Sequence, residues 1–346
     1  MTAEPLTHNP LNGVTAGVWK KGSVVHKVLT GRRAAPPHWA SSEDPRHWNY
    51  WRREALVYAS GLPQRLALGA PRLLGMAESL EGDVELRLDH VEGRHAAALT
   101  VEDLEAAAHV LGRGQGRVDL PDEEWLSQGF LRAYSGTRPV EWALIDDDDA
   151  WAQPLIREHF DVSLRKSLVR LHLGRERLLT LMEHLPRTVC HLDVWPNNLI
   201  RRAGGEVVLL DWAFIGEGAL GEDIGNLIPD SVFDLLLPHH LLDELDARLT
   251  TAYLGGLREA GWNGDERLVR LGICASAVKY DWLTAFCLEH AGADEHPDYG
   301  RDASVDAAAR YAARAAGLAL CARWAREAEE LAGTLGLSGP RTNCPW

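Results

Sequence analysis

Apolar residues recur at every second position in two short runs near the start of the chain, separated by Lys20-Lys21-Gly22. That spacing predicts a β-hairpin over residues 17–29. Val25, Lys27 and Leu29 fall on one face of its second strand, and Val24, His26 and Val28 on the other. Further on, Asp44-Pro45 has the form of a helix start, an N-cap aspartate followed by a first-turn proline. A stripe of Trp48, Trp51, Ala55 and Tyr58 then predicts a helix running to Gly61. Residues 84–93 alternate again and predict a strand ending at Gly93. Beyond it helical periodicity dominates, with helices expected over 101–112, over 175–185 up to Pro186, and over the alanine-rich 302–335 as one helix or a pair. Two short β-prone runs, 188–191 and 206–210, interrupt the helical part. The expected fold class is α+β, with a small β-rich lobe over residues 1–93 and a larger, mostly helical lobe over 94–346.

Composition narrows the function classes. The 346 residues include 36 basic and 50 acidic ones, a net charge of −14. Nucleic acid is therefore not an expected partner, since phosphate backbones attract net positive surfaces. The acidity is uneven: residues 1–93 sum to +1 and the remainder to −15. Five cysteines without a C-x-x-C pair suit a reducing, cytoplasmic setting. No run of 18 apolar residues is seen and the first residues lack a signal-peptide pattern, so no membrane partner is expected. No oligomeric state follows from the sequence. Only five lysines stand against 31 arginines, which makes a lysine inside an apolar strand conspicuous.

Candidate chemistry concentrates in His191-Leu-Asp193-Val-Trp-Pro-Asn-Asn198, which fits H-x-D-x-x-x-x-N, and in Asp211 at the end of an apolar run. Phosphoryl transfer needs a carboxylate to take the proton of the attacking hydroxyl and oxygen ligands to hold Mg²⁺ against the phosphates. An Asp and an Asn five apart on a tight loop can divide those tasks, with a strand-end Asp as second ligand. Mg²⁺ tolerates so sparse a set because it keeps several waters and takes phosphate oxygens. Lys27, on its apolar strand, calls for an anionic partner, because an unpaired buried ammonium is costly; Glu54 is the candidate. Asp223 either belongs to the same arrangement or caps the next helix.

The ordered set Lys27, Glu54, HLDVWPNNLI, DWAFIG and GEDIGN resembles the aminoglycoside phosphotransferase and choline kinase family over about residues 11–227. The resemblance implies a bilobal protein-kinase-like fold with ATP or GTP as co-substrate and Mg²⁺ as cofactor. It makes Asp193 the catalytic base, braced by His191, and Asn198 and Asp211 the metal ligands. Lys27 would meet the nucleotide phosphates, oriented by Glu54. Gly13 and Gly17 would lie near them, and Val25 over the nucleobase. Backbone around Asp89, His90 and Val91 would hold the base edge, and Asp223 would support the loop from beneath. Two positions depart from the family pattern: Leu192 stands where glycine is frequent, and Trp195 where a second His or Asn is.

The function expected is O-phosphotransfer from ATP or GTP to a hydroxyl of a small molecule. The −15 on the larger lobe favours a cationic acceptor, and an antibiotic-modifying, aminoglycoside-like role. Residues Tyr280, Asp281, Trp282 and Glu289 are the candidates to bind it through an aromatic-plus-carboxylate face. Alternatives are a metabolic kinase for an amino alcohol, sugar or nucleoside-type acceptor, or a non-catalytic nucleotide-binding relative. A protein kinase is disfavoured by the missing A-P-E segment and the short span between Asp211 and Asp223. The four-Asp run 146–149 reads as a solvated loop, with Trp142 and Trp151 as possible lid residues. Cys190 is not read as a nucleophile. His239-His240 and the His290/His296 pair lack zinc-ligand spacing.

Overall fold

The computed structural model of the chain describes residues 2–117, 120–292 and 306–337. His296, Cys344 and the expected helix start at 302–305 lie outside them. A five-stranded antiparallel sheet forms first, with two short helices inserted. In chain order these are β1 (Glu4–Pro5), β2 (Thr15–Lys21), β3 (Val24–Leu29), α1 (Arg53–Ser60), α2 (Leu62–Arg65), β4 (Leu73–Glu78) and β5 (Val84–Asp89). The strand order is β1-β2-β3-β5-β4. The expected hairpin is present and turns at Gly22, whose φ of 64° suits a residue without Cβ. Strand β3 sits mid-sheet, with Lys27 opposite Val18 on β2 and Leu86 on β5.

The helix predicted from Pro45 begins only at Arg53. Asp44 closes a turn instead, its Oδ1 accepting the Arg46 amide at 2.9 Å. Asn49 fixes the detour by donating to the carbonyls of Trp39 and Ala40, each at 3.0 Å. The helix stops where expected, at Gly61 with φ 66°. Freed from a helix, the 35–52 segment lays Trp39 and Trp48 against Phe130, Tyr134 and Phe214 of the helical part. The ring centroids lie 5.4–6.4 Å apart, a spacing that suits offset and edge-to-face aromatic packing.

The chain then passes through β6 (Arg94–His95), α3 (Val101–Gln115), α4 (Phe130–Gly136), α5 (Asp148–Ala152), α6 (Pro154–His159) and α7 (Val162–His184). Strands β7 (Arg187–Cys190), β8 (Leu199–Arg201), β9 (Val207–Leu209) and β10 (Gly216–Ala219) follow. Helices α8 (Glu222–Phe233), α9 (Leu242–Glu259), α10 (Glu266–Ala275), α11 (Asp281–His290) and α12 (Ala307–Thr334) complete the fold. The small strands form two further sheets, β6-β8-β9 and β7-β10. Helix α7 starts well before the expected residue 175, capped by Asp161. In its first half only Leu168 and Leu171 are buried, so its apolar stripe is thin there. The described part of the last expected helix is one helix, α12.

Helices α3 and α9 cross closely on two glycines. A Cβ on Gly112 would stand 2.1 Å from the Tyr253 carbonyl oxygen, and one on Gly256 2.1 Å from that of His109. The four-Asp run is not a plain loop, since Asp147 caps α5. Nor do its flanking tryptophans make a lid. Trp151 is buried with its indole on the Ile145 carbonyl, and Trp142 stacks on His172 at 4.9 Å. The stretch Glu266–His290 is long and apolar enough to cross a bilayer, but its apolar window is 89% buried within the fold.

Candidate active site

Four separate segments deliver the predicted side chains to one place. From β3, Lys27 Nζ reaches Glu54 Oε2 on α1 at 2.6 Å and Asp211 Oδ1, just past β9, at 2.9 Å. The Lys27 and Glu54 side chains are 9% and 2% exposed, whereas Asp211 is 43% exposed and open to a ligand. Burial opposes the Lys27 charge, yet Asp211 and Glu54 together hold its ammonium well above the ordinary lysine range. Burial, and the charge of Asp211, raise Glu54 against the pull of Lys27. Burial would raise Asp211 too, but Lys27 outweighs it and keeps that carboxyl below the usual range.

The H-x-D-x-x-x-x-N segment forms a tight loop from β7 to β8. The Asn198 amide donates to the Asp193 carbonyl at 2.9 Å and to Asp193 Oδ2 at 2.8 Å, which leaves Asn198 Oδ1 as the amide's acceptor end. The Leu210 amide donates to the Asn198 carbonyl at 2.9 Å. His191 Nε2 donates to the Leu210 carbonyl at 3.0 Å, and its ring packs on Trp212. These bonds bind the loop to the approach of Asp211. Burial lowers His191 to about 4, so its imidazole is neutral at pH 7. Burial, and next the Asp211 charge, push the Asp193 carboxyl up to about 7.

Asp223 does not cap α8; Gly221 holds that position without a side-chain bond. Its carboxylate instead accepts the amides of His191 at 2.9 Å and Leu192 at 2.8 Å, and the Gln115 side chain at 2.7 Å. Leu192, where the family often has glycine, adopts φ 66°.

The metal-ligand expectation fits the donor set. Asn198 Oδ1 and the second oxygen of Asp211 are hard oxygen donors beside Lys27, a set that suits Mg²⁺ completed by waters and phosphates. Among the described residues no group of three or more His, Cys, Asp or Glu could hold a metal, as a zinc centre would require.

Other expected residues fare differently. Gly13 stands in a turn just before β2, but Gly17 does not share it. Gly13 is pinned beneath Trp39 and Ser41, where a Cβ would come within 3.0 Å of backbone, and Gly17 lies within β2 at a bulge opposite Val28. Val25 packs partly buried on the main core. The Asp89 and His90 amides are taken by the carbonyls of Arg72 and Ser23, so a nucleobase at this stretch would use Val91 or the carbonyls. The four acceptor candidates do not form one face. Tyr280 is buried and donates to the Asn226 carbonyl at 3.1 Å. Asp281 is buried on His172 and Arg175. Trp282 lies on the Arg138 guanidinium, and Glu289 is exposed.

Sequence reasoning missed three charged residues. Arg53 is fully buried and donates all five N–H groups to the carbonyls of Pro45, His47, Trp48, Trp125 and Ala213. Burial lowers it to about 9. Asp230, on α8, is half-buried, and its neighbour Lys279 comes from the turn before α11. The scarcity of lysine that singled out Lys27 applied equally to Lys279.

A sheet of this order, with a lysine–glutamate pair facing a loop of paired acid and amide, defines a kinase-like small-molecule phosphotransferase. The chain belongs to the phosphotransferase enzyme family, whose sequence model matches residues 50–263. No curated protein sequence matches it. Similar solved structures include a choline/ethanolamine kinase family protein from Mesorhizobium loti, at 16% identity and TM-score 0.49, covering 96% of this chain and 92% of that one. Choline kinase LicA from Streptococcus pneumoniae matches at 15% identity and TM-score 0.46, with 92% and 93% covered. Aminoglycoside phosphotransferase APH(3'')-Id from Streptomyces rimosus matches at 15% and 0.46, with 81% and 93% covered.

Proposed function

We propose that this protein moves the γ-phosphate of ATP or GTP to a hydroxyl of a small molecule, with Asp193 as the base. The observation that carries the reading is Lys27, which pairs with Glu54 and, 184 residues away in sequence, with Asp211, beside the Asp193–Asn198 loop. Lys27 neutralises phosphate charge and is held by Glu54. Asn198 and Asp211 would hold Mg²⁺, which would neutralise phosphate charge when bound. Asp193 accepts the hydroxyl proton as the oxygen attacks in line. The Asn198 amide aims that carboxylate, and Asp223 fixes the loop's two amides. Positioning and electrostatics supply most of the rate in such a site.

A non-catalytic binder is not favoured, because every charged group the chemistry needs is in place. An antibiotic-modifying role rests on the resemblance alone. A cationic acceptor rests on the net −15 of residues 94–346 alone, and some of those acids lie in surface ion pairs. Arg248 pairs with Glu102, Glu105 and Glu244, and Arg132 with Glu176 and Glu183. The buried thiols of Cys190, Cys274, Cys287 and Cys321 support a cytoplasmic setting.

The test is a transfer assay over amino sugars, nucleoside and peptide antibiotics, choline analogues and free sugars. Asp193→Asn is expected to lose about 10²–10⁴-fold in kcat while binding Mg·AMP-PNP nearly as the native chain does. Asp211→Ala should lose the metal-dependent part of nucleotide affinity, read by calorimetry with and without Mg²⁺. Near-native turnover by Asp193→Asn would refute the base assignment.

A further inference from the structure

Lys27 and Asp211 mark the nucleotide's side of Asp193, so the acceptor approaches from the other side. A linked set of groups leads there from the loop. Asn226 on α8 donates to the Val194 carbonyl, next to Asp193, at 2.7 Å, and Tyr280 donates to the Asn226 carbonyl. Lys279, beside Tyr280, is unusual. Its side chain is only 9% exposed, yet its ammonium makes no hydrogen bond among the described residues. Its nearest anion is Asp230 Oδ2, at 3.9 Å. Otherwise it faces the rings of Tyr134 at 5.3 Å, Tyr280 at 5.7 Å and Phe130 at 5.9 Å.

A second cation shares one of those rings. The Arg138 guanidinium lies 3.7 Å from the Tyr134 centroid, 5.0 Å from Trp39 and 5.1 Å from Trp282. The aromatic surfaces that could have received an ammonium ligand by cation–π contact are therefore occupied by the protein's own cations. An ammonium with three donors, nearly buried and without an acceptor in hydrogen-bond range, is costly unless something anionic completes it. Both cations act on Asp230, and Lys279 acts on Asp193, so their charge reaches the place where the hydroxyl would be deprotonated.

We propose that the acceptor carries an anionic group, a carboxylate, phosphate or sulfate, that docks on Lys279, while its hydroxyl meets Asp193. This rests on the phosphotransfer reading and reverses the charge expected from the net acidity of residues 94–346. Asp230 holds Lys279 in place before the acceptor arrives, and the three rings exclude water from the contact.

The test uses the full chain saturated with Mg·AMP-PNP, so that sulfate has no access to the nucleotide phosphate site. Tryptophan fluorescence, to which Trp39 and Trp282 beside Arg138 contribute, is followed while sodium sulfate or tetramethylammonium chloride is added at constant ionic strength. Saturable sulfate binding is expected, weakened about tenfold or more by Lys279→Met and retained in Lys279→Arg, with AMP-PNP affinity little changed in both. Absence of a saturable sulfate response in the native chain overturns the proposal. So does equal sulfate affinity in native and Lys279→Met protein, or saturable tetramethylammonium binding in place of sulfate. Failure to bind Mg·AMP-PNP at all would instead strike the phosphotransfer reading, and the two failures are separately visible.

Discussion

Leu192 holds a left-handed backbone, φ 66°, while its side chain is buried with Trp39, Trp48, Phe130, Cys190, Ala213 and Phe214. An L-residue with a Cβ is strained there by roughly 1 kcal/mol. Burying the leucine offsets that strain, and the Asp223 carboxylate on the Leu192 amide holds the geometry. Leu192→Ala keeps the strain and loses the packing; Leu192→Gly loses the packing but also the strain. The glycine variant should therefore be the more stable of the two by about 0.5–1 kcal/mol, the reverse of their order at an ordinary buried site. Denaturant midpoints decide it, and alanine ranking above glycine would disprove the strain argument. The residues gathered at the candidate site were legible in the sequence because the expected chemistry fixes their spacing. Asp230 and Lys279 were not, because their meaning comes from the rings around them, which are contributed by α4 and by the turn before α11.

Among the elements, α1 shows how a local pattern can mislead. Proline after aspartate and a stripe of tryptophans read as a helix, yet residues 45–52 turn so that their carbonyls converge on Arg53. No single-segment pattern reveals this, since two of the five acceptors, Trp125 and Ala213, come from distant parts of the chain. Arg53 thereby joins the helix bearing Glu54 to the loop that follows Asp211. Arg53→Met would take the guanidinium from five carbonyls, of which, among the described residues, only that of His47 keeps another donor, the Tyr50 amide, and should cost about 3–5 kcal/mol. Arg53→Lys, with three donors, should fall between it and the native chain. Chemical denaturation measures both, and a loss below about 1 kcal/mol in Arg53→Met would show that the clamp is dispensable.

For the whole molecule, the sheet-then-helices plan was legible because periods of two and 3.6 separate cleanly along the chain. The packing of the 35–52 segment against α4 was not, being a matter of aromatic contacts between distant residues. Stability carries a signature of the buried acids. Glu222 is buried with Oε2 accepting the Ala219 amide at 2.9 Å, and burial raises it from 4.5 to about 7. Between those values the unfolded chain binds fewer protons than the folded one, so this group's effect is to lower stability as pH rises from about 4.5 to 7. Glu222→Gln should thus be more stable than the native chain at pH 8, by of order 2–3 kcal/mol, and nearly equal to it at pH 4.5. Thermal melts at the two pH values give the difference, and a pH-independent gap would exclude the titration.

The clamp around Arg53 also bears on synthesis. A ribosome exposes Lys27, Arg53 and Glu54 long before it makes Trp125, Asp211 and Ala213. Until then the guanidinium has only the nearby carbonyls, and the ammonium only Glu54. The nascent N-terminal portion therefore gains its full structure late, once translation has passed Ala213.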